Sequence, residues 1–259
     1  MQKIRLDKLL LDNNLAPTRE KAQFLIMSGN VLVNDKKIDK CGHQVKPDAI
    51  IRLLTELPKY VSRGADKLAG AIAQFNIPIQ DQVAMDVGIS TGGFSDYLFQ
   101  HGAKAIIGID VGYGQLDLKI RHNPNLLLLE RTNARNLTNM DLTIHKDKHR
   151  TPDLFTPPTL VVMDVSFISV TKILPIIPNL VDPNANYIIL IKPQFEAQKS
   201  EIGKGGIIKD PDTHTEILAR VKTALSTQFN ILGQCDSPIT GTKGNKEFFF
   251  HLKENGVRV

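Results

Sequence analysis

In the first 57 residues, the spacing of the hydrophobic positions changes once, from the period of a helix to that of a strand. Apolar residues recur at helical spacing in 6–10 and again in 22–26, where Thr18 can cap a helix and Gly29 can end it. From residue 31 to 38 the apolar positions alternate around an Asn-Asp turn signal. The pattern therefore predicts two helices followed by a β-hairpin.

Beyond residue 60, short apolar runs rich in β-branched residues alternate with segments suited to helices. These runs span residues 83–87, 105–111, 126–129, 160–165 and 187–191. Unbroken apolar strands imply burial on both faces, which parallel strands with crossover helices provide. Two later runs, 231–235 and 247–252, are separated mainly by loop residues and suit an antiparallel pair. We therefore predict a doubly wound, Rossmann-like α/β sheet with closing antiparallel strands, preceded by a small α+β domain.

A proline-containing stretch near residues 57–60 separates these two patterns. It predicts a first domain over residues 1–57, a linker over 58–62 and a larger domain over 63–259. The 259 residues, 42% of them apolar, are enough to build a core for each domain.

Charge and cysteine content narrow the class of protein. The formal net charge is +5, and the first 60 residues hold 11 Lys and Arg against 7 Asp and Glu. This excess favours a polyanion-binding module at the front, although a solvated charged face would give the same count. Cys41 and Cys235 lack the spacing of a disulfide framework or a metal site, so we expect neither. No apolar run approaches the roughly 18 residues that cross a bilayer, and we expect a soluble, cytoplasmic protein.

Glycines and carboxylates follow the first two predicted strands of the large domain. Asp86 and Asp110 lie near the carboxyl ends of these strands, where an open parallel sheet forms its ligand crevice. Glycine lets the backbone approach a ligand closely, and an acidic residue after the second strand can bind a ribose diol. The loop is not G-x-G-x-x-G, so it favours S-adenosylmethionine over a dinucleotide, with an incidental glycine turn as the alternative. The candidate loop residues are Gly88, Ser90, Thr91, Gly92, Gly93 and Phe94.

Four further charged residues lie at the ends of predicted elements. A charge at a buried strand end must be paired, so two lysines and two carboxylates in one crevice would compensate one another. Each residue taken singly is more often a surface terminus, but the four together favour a site. They are Lys67, Asp164, Lys192 and Glu247.

Three motifs near the start carry a resemblance to a known domain. They are Arg-Leu-Asp-Lys-Leu-Leu from residue 5, Thr-Arg-Glu-Lys-Ala from residue 18 and Ile-Met-Ser-Gly-Asn-Val-Leu-Val-Asn from residue 26. In order and spacing, this segment resembles the S4 domain, an RNA-binding module named after protein four of the small ribosomal subunit. The resemblance implies binding to structured RNA, with Arg19 and Lys21 as the foremost phosphate contacts. The other expected RNA-binding residues are Arg5, Lys36, Lys37 and Arg63.

A second set of motifs runs in order along nearly the whole chain. These motifs occupy 60–68, 86–94, 108–116, 130–135, 163–169, 191–196, 205–211 and 244–248. Together they resemble the TlyA family, within the FtsJ-like ribose 2'-O-methyltransferases. Ile89 departs from the family pattern, because a smaller residue is expected in the glycine loop. The resemblance places the family's Lys-Asp-Lys-Glu tetrad at Lys67, Asp164, Lys192 and Glu247.

The resemblance implies S-adenosylmethionine-dependent 2'-O-methylation of ribosomal RNA, at a cytidine. Lys192 would act on the ribose hydroxyl as a base or an oxyanion stabiliser, oriented by Asp164, while Glu247 would position Lys67 or the ribose. The cofactor's methionine, ribose and adenine would contact, in that order, Asp86, Asp110 and Thr132-Asn133. We expect ribosomal RNA or ribosomal subunits as partners.

Three alternative functions predict different features of the sequence. A non-catalytic ribosome-assembly factor would keep the front domain but should lose a member of the tetrad, and none is missing. A pseudouridine synthase also commonly carries such a front domain, but it has no use for an S-adenosylmethionine loop. A haemolysin, a label often given to this family, would need an amphipathic or apolar segment, so we expect no stable membrane association.

Overall fold

The computed structural model describes residues 3–55, 58–241 and 243–256. The chain divides into two compact units, Met1–Lys59 and Tyr60–Val259. The predicted domain end at residue 57 lies outside the described residues. Each unit has a hydrophobic core of its own.

The first unit contains the predicted helices and hairpin. Thr18 caps the second helix by accepting a hydrogen bond from the backbone N of Lys21. Asn34 and Asp35 form the hairpin turn with φ of +49° and +62°, the left-handed conformation of a type I′ turn. The elements are β1 (Ile4–Arg5), α1 (Leu6–Asp12), α2 (Arg19–Met27), β2 (Val31–Val33), β3 (Lys36–Lys37), β4 (Gln44–Val45) and β5 (Ile51–Leu53). The pairing of β1 with β4 was not predicted, because two-residue strands are too short to show a period.

The second unit is built around a seven-stranded sheet. Its strands are β6 (Val83–Val87), β7 (Ala105–Ile109), β8 (Leu126–Leu129), β9 (Leu160–Met163), β10 (Asn186–Ile191), β11 (Phe229–Asp236) and β12 (Phe248–Glu254). Its α-helices are α3 (Gly64–Phe75), α4 (Gly93–Gln100), α5 (Leu118–Arg121), α6 (Asn139–Asp147), α7 (Pro193–Glu196) and α8 (Pro211–Leu225). Short 3-10 helices are Ala134–Asn136, Pro152–Leu154, Val170–Lys172, Leu174–Leu180, Lys199–Glu201 and Lys204–Gly206.

The order of the strands confirms the predicted fold class. They lie in the order β11-β12-β10-β9-β6-β7-β8, and the five strands from β10 to β8 pair in parallel. β12 is antiparallel to both β10 and β11. Separate hydrophobic clusters cover the two faces of the sheet, as unbroken apolar strands require. Two strands end two residues earlier than predicted, at Ile109 and Met163.

The strand register brings five chain segments to one edge of the sheet. Val87 pairs with Ile109 and Met163, so β6, β7 and β9 end level with one another. Ile191, the last residue of β10, pairs with Phe248, the first residue of β12. Because β12 runs the opposite way, the residue that precedes it reaches the same edge as the residues that follow the parallel strands.

The glycine loop after β6 fits closely against its neighbours. Gly88 has a φ of +86°, and a Cβ there would collide with the backbone carbonyl of Asp164. Ile89 is only 3% exposed and lies against Gly108 of β7. The residue that departs from the family pattern is therefore a core residue beneath the loop.

Asp86 is a buried acid within the central strand β6. The residue is 1% exposed, and its Oδ2 accepts a hydrogen bond of 2.7 Å from Ser95 Oγ at the start of α4. Among the described residues its Oδ1 has no partner. Burial, followed by the nearby charges of Asp164 and Asp110, raises the pKa of Asp86 from 3.8 to about 7, against the opposing hydrogen bond from Ser95.

This burial predicts how stability depends on pH. As the pH rises from about 4 to about 7, the unfolded chain releases the Asp86 proton while the folded chain keeps it, so the free energy of unfolding falls. Asp86→Asn removes this titration. Across that pH range, we expect the unfolding free energy of the original protein to fall by roughly 2–4 kcal/mol more than that of Asp86→Asn. Urea unfolding at several pH values measures the difference.

The exposed Asp66 of α3 offers the control, because Asp66→Asn makes the same substitution at an acid that the fold does not bury. Parallel curves for Asp86→Asn and the original protein would contradict the prediction.

Candidate active site

A cavity of about 480 Å³, called the first cavity, opens where β6, β7 and β9 end. Asp110 stabilises its wall, because its Oδ2 accepts from the backbone N of Ser90 at 2.8 Å and its Oδ1 from that of Gly112 at 2.7 Å. The acid at the end of β7 therefore ties the glycine loop to the loop after its own strand. The predicted residues that line this cavity are Gly88, Ser90, Asp110, Thr132, Asn133 and Asp164.

Two smaller cavities adjoin the first. The second cavity, about 270 Å³, is lined by Ser62, Arg63, Gly64, Lys67, Gly88, Ile89, Ser90, Thr91, Gly93, Phe94, Asp164 and Lys192. The third cavity, about 320 Å³, is lined by Lys67, Ser166, Phe167, Lys192, Gln194, Phe195, Ile202, Gly206, Gly241, Lys243, Asn245 and Glu247. Asp164 borders the first and second cavities, and both lysines border the second and third. The three cavities therefore meet around these charged side chains.

The four predicted charged residues form two ion pairs at this junction. Lys67 Nζ lies 2.6 Å from Glu247 Oε2, and Lys192 Nζ lies 2.5 Å from Asp164 Oδ1. The Lys192 ammonium also donates to Ser166 Oγ at 2.9 Å. The exposed fraction of these side chains is 12% or less, except for Asp164 at 22%. Such burial is tolerable because each charge has an opposite charge beside it.

Each member of the two pairs is held by a different element. Asp164 follows β9, Lys192 follows β10 and Glu247 precedes β12, so the sheet register fixes these three. Lys67 lies in the first turns of α3, which packs against α4. The lysine ammonium groups thus reach the edge of the sheet from two directions, one along a strand and one from a helix.

The segment before α3 is anchored to α4. The buried Asp96 accepts from the backbone N of Val61 at 2.8 Å and from Lys119 Nζ at 2.8 Å. Gly92 precedes α4 with a φ of +90°, and a Cβ on Gly93 would overlap Ser62 Oγ. This close approach brings residues 60–64 beside the glycine loop.

The remaining predicted cofactor residues have different surroundings. Thr91, Gly93 and Phe94 line the second cavity, whereas Gly92 and Asp86 line none of the three cavities. Asp86 supports the site from behind, through Ser95 of α4. Its contact with the methionine part of a cofactor stays a prediction.

Several residues of the site were given no role from the sequence. Ser166 binds Lys192, while Phe167 and Phe195 lie with ring centroids 5.1 Å apart at the third cavity. Phe167 is 91% exposed and has a φ of +65°, an unusual conformation for an aromatic residue. These residues lie two or three positions after Asp164 or Lys192, so their nearness in sequence to a predicted charge was the available signal.

The predicted RNA-binding residues of the first unit fall into two groups. Arg5 and Arg19 form ion pairs with the fully buried Asp7, at 2.7 and 3.3 Å. The hydrogen bond from Arg5, despite the opposing effect of burial, holds the pKa of Asp7 far below its usual range. These arginines therefore stabilise the fold as well as presenting charge. Over the described residues no ion pair engages the second group, which consists of Lys21, Lys36 and Lys37.

Arg63, also predicted to bind RNA, belongs to the second unit. It is exposed at the rim of the second cavity. Across the ranges that the structure describes, no helix has the length and apolar content needed to cross a membrane.

Comparisons with known proteins identify the family of the chain. The FtsJ-like methyltransferase family matches residues 60–254, and the S4 domain matches residues 4–51. "Putative rRNA methyltransferase YqxC" of Bacillus subtilis (strain 168) is 40% identical over 97% of this chain and 86% of its own length. "16S/23S rRNA (cytidine-2'-O)-methyltransferase TlyA" of Mycobacterium tuberculosis (strain ATCC 25618 / H37Rv) is 35% identical over 100% of this chain and 92% of its own.

A solved structure aligns with the full length of the chain. It is described as "Putative hemolysin from Streptococcus thermophilus", with a TM-score of 0.71 and 35% identity over 100% of this chain and 93% of that one. The resemblances seen in the sequence, to the S4 domain and to the TlyA group of FtsJ-like enzymes, are confirmed. The chain belongs to the FtsJ-like methyltransferase family and carries an S4 domain ahead of its methyltransferase unit.

Proposed function

We propose that this protein transfers a methyl group from S-adenosylmethionine to the 2'-hydroxyl of a cytidine ribose in ribosomal RNA. One observation carries the proposal: two lysine–carboxylate ion pairs lie where a cofactor-sized cavity meets a second and a third cavity. A methyl donor in the first cavity and a ribose hydroxyl in the adjoining cavities would meet at these ammonium groups. The cytidine target and the ribosomal substrate come from the name of the relative in Mycobacterium tuberculosis.

The first cavity fits S-adenosylmethionine in size and in chemistry. Its volume of about 480 Å³ lies within the roughly 300–1,000 Å³ of small-molecule sites. Asp110 and Asp164 line it, and carboxylates complement a cationic sulfonium. Asp110 follows the second strand of the unit, where an acid binds ribose hydroxyls in related folds. Thr132 and Asn133 would then lie beside the adenine.

The tetrad supplies the groups that methyl transfer to a hydroxyl needs. When bound, S-adenosylmethionine would supply a methyl group already activated by a positive sulfur. Lys192, held by Asp164 and Ser166, would stabilise the developing oxygen anion as an ammonium, or would accept the hydroxyl proton after releasing one of its own to water. Lys67 and Glu247 would hold the ribose in line with the methyl, and alignment itself provides much of the rate.

The S4 domain would supply the RNA affinity that a single-ribose pocket lacks. Lys21, Lys36 and Lys37 present cations that no described carboxylate neutralises. Phosphate contacts of this kind position RNA without reading its sequence, and their strength falls with salt. We expect folded ribosomal RNA or a ribosomal subunit to be the partner.

The role of Lys192 can be tested by removing its charge while keeping its length. Lys192→Met should lower the rate of methyl transfer by about 100-fold or more, because a proton-transfer group contributes that much. S-adenosylmethionine affinity should not fall, because Lys192 does not line the cavity assigned to the cofactor and its loss leaves Asp164, which does, without its paired cation. Transfer of tritiated methyl to ribosomal RNA from cells that lack this gene measures the rate, and calorimetry measures the S-adenosylmethionine affinity. Lys104→Met, at an exposed lysine, serves as the control, and a Lys192→Met enzyme with half the original turnover would refute the role.

The role of Asp110 predicts a change in cofactor binding. Asp110→Ala should weaken S-adenosylmethionine binding by about tenfold or more, since it removes charge-assisted hydrogen bonds and frees the Ser90 loop. Isothermal titration calorimetry measures the affinity, and Asp153→Ala at an exposed acid provides the comparison. Equal affinities for Asp110→Ala and Asp153→Ala would contradict this assignment.

The S4 surface predicts a change in salt dependence. Replacing Lys21 and Lys37 together by Ala should weaken ribosomal RNA binding and reduce the slope of log affinity against log salt by about 1.4–1.8, at roughly 0.7–0.9 per lost phosphate contact. S-adenosylmethionine affinity should stay the same. Filter binding over a salt series measures the slope, with Lys104→Ala as control. An unchanged slope would show that these lysines do not contact phosphate.

A further inference from the structure

Two loops border the third cavity on the side of Glu247. The first, the 202–208 loop, contributes Ile202 and Gly206 to the cavity lining. The second contributes Gly241, Lys243, Asn245 and Glu247. Gly205 and Gly206 have φ of +80° and +79°, and a Cβ on either would meet nothing within 4 Å. The shape of the 202–208 loop therefore depends on its hydrogen bonds, not on tight packing at these glycines.

The side chain of Asn245 joins the two loops. Its Oδ1 accepts from the backbone N of Ile208 at 3.0 Å, and its Nδ2 donates to the carbonyl of Gly206 at 2.9 Å. The orientation of the amide is determined by these partners, because a backbone N–H only donates and a carbonyl only accepts. Asn245 is 3% exposed, so water does not replace these bonds easily. Both ends of the amide are engaged by backbone, which marks a structural bridge rather than a ligand contact.

The backbone around Asn245 also supports the ion pair of Lys67. The backbone N of Gly241 donates to the carbonyl of Asn245 at 2.9 Å, and Asn245 lies two residues before Glu247. A Cβ on Gly241 would overlap Glu247 Oε1, so the backbone of Gly241 lies directly against the carboxylate. One residue thus connects the wall of the third cavity to the segment that carries a tetrad member.

We propose that Asn245 is a positioning residue that holds the 202–208 loop as the wall of the RNA side of the site. The inference rests on the proposed function, because the third cavity is where the target ribose would meet Lys67 and Lys192. Without the Asn245 side chain, the backbone N–H of Ile208 and the carbonyl of Gly206 would lose their buried hydrogen-bond partners. The loop would then no longer be held in this position. Another anchor of this region, the ion pair between Glu201 and Arg220 at 2.7 Å, is partly exposed and contributes less.

Three variants test the bridge. Asn245→Ala removes both bonds, and Asn245→Asp keeps the acceptor for Ile208 but loses the donor to Gly206. Arg220→Ala breaks the ion pair with Glu201 and is the matched control. Hydrogen exchange of peptides covering 202–208 reports the loop, calorimetry reports S-adenosylmethionine affinity, and transfer of tritiated methyl to ribosomal RNA from cells lacking this gene reports KM and kcat.

For Asn245→Ala we expect about tenfold faster exchange in 202–208 and about a tenfold higher KM for RNA, which corresponds to the loss of one to two buried hydrogen bonds. The kcat should fall by less than about threefold, and cofactor affinity should stay the same, because the cavity assigned to the cofactor excludes both loops. Asn245→Asp should also accelerate exchange in 202–208, because its carboxylate keeps the acceptor for Ile208 but places an oxygen opposite the Gly206 carbonyl. Arg220→Ala should behave like the original protein.

The outcomes separate this inference from the proposed function. An original protein that methylates no ribosomal RNA refutes the function, while the exchange measurement still tests the bridge. An active protein whose Asn245→Ala variant keeps its exchange and its KM overturns the inference, and so does an equal effect of Arg220→Ala. If Asn245→Ala accelerates exchange throughout the unit, Asn245→Asp decides: faster exchange confined to 202–208 supports the bridge, and unchanged exchange overturns it.

Discussion

The structure depends on one geometric constraint, the meeting of strand ends at a single edge of the sheet. Parallel β6, β7, β9 and β10 all terminate there, and polar residues can follow them only where the apolar core stops. β12 runs antiparallel beside β10, so its first residue pairs with the last residue of β10. Backbone hydrogen bonds thus bring together side chains that are far apart in the chain.

Pairing of opposite charges makes this convergence tolerable. Four buried or nearly buried charges at one edge would be costly if they stood alone, but each lysine lies within 2.6 Å of a carboxylate oxygen. Asp7 follows the same rule in the first unit, where two partly exposed arginines neutralise a fully buried acid. Asp86 is the exception, since its nearest polar partner is a hydroxyl and its pKa rises to about 7. The arrangement links the chemistry of the site to the stability of the fold.

The predictable part of the site consists of residues whose type conflicts with their surroundings. Lys192 directly follows five apolar residues of β10, so its charge stood out in the sequence. Asn245 gave no such signal, because an Asn between Gly and Lys is typical of an ordinary surface loop. Its role depends on its hydrogen bonds to Ile208 and Gly206, which lie almost forty residues earlier in the chain. Phe167 and Phe195 meet in the same way, across loops whose paths no period describes.

The sequence by itself determined the longer elements, the fold class and the family, because apolar periodicity and contiguous motifs are local properties of the chain. It also indicated that Asp164 and Lys192 would converge, since parallel strands must end together, while Lys67 and Glu247 were added by charge compensation and the family motifs. Only the tertiary structure decided that Lys67 pairs with Glu247 and that Lys192 pairs with Asp164. It also decided that Arg5 and Arg19 form ion pairs with Asp7. Finally, it placed Asp86 behind the first cavity instead of in its lining. The physical reason is that pairing and burial depend on distances between remote segments, which are set by packing and strand register.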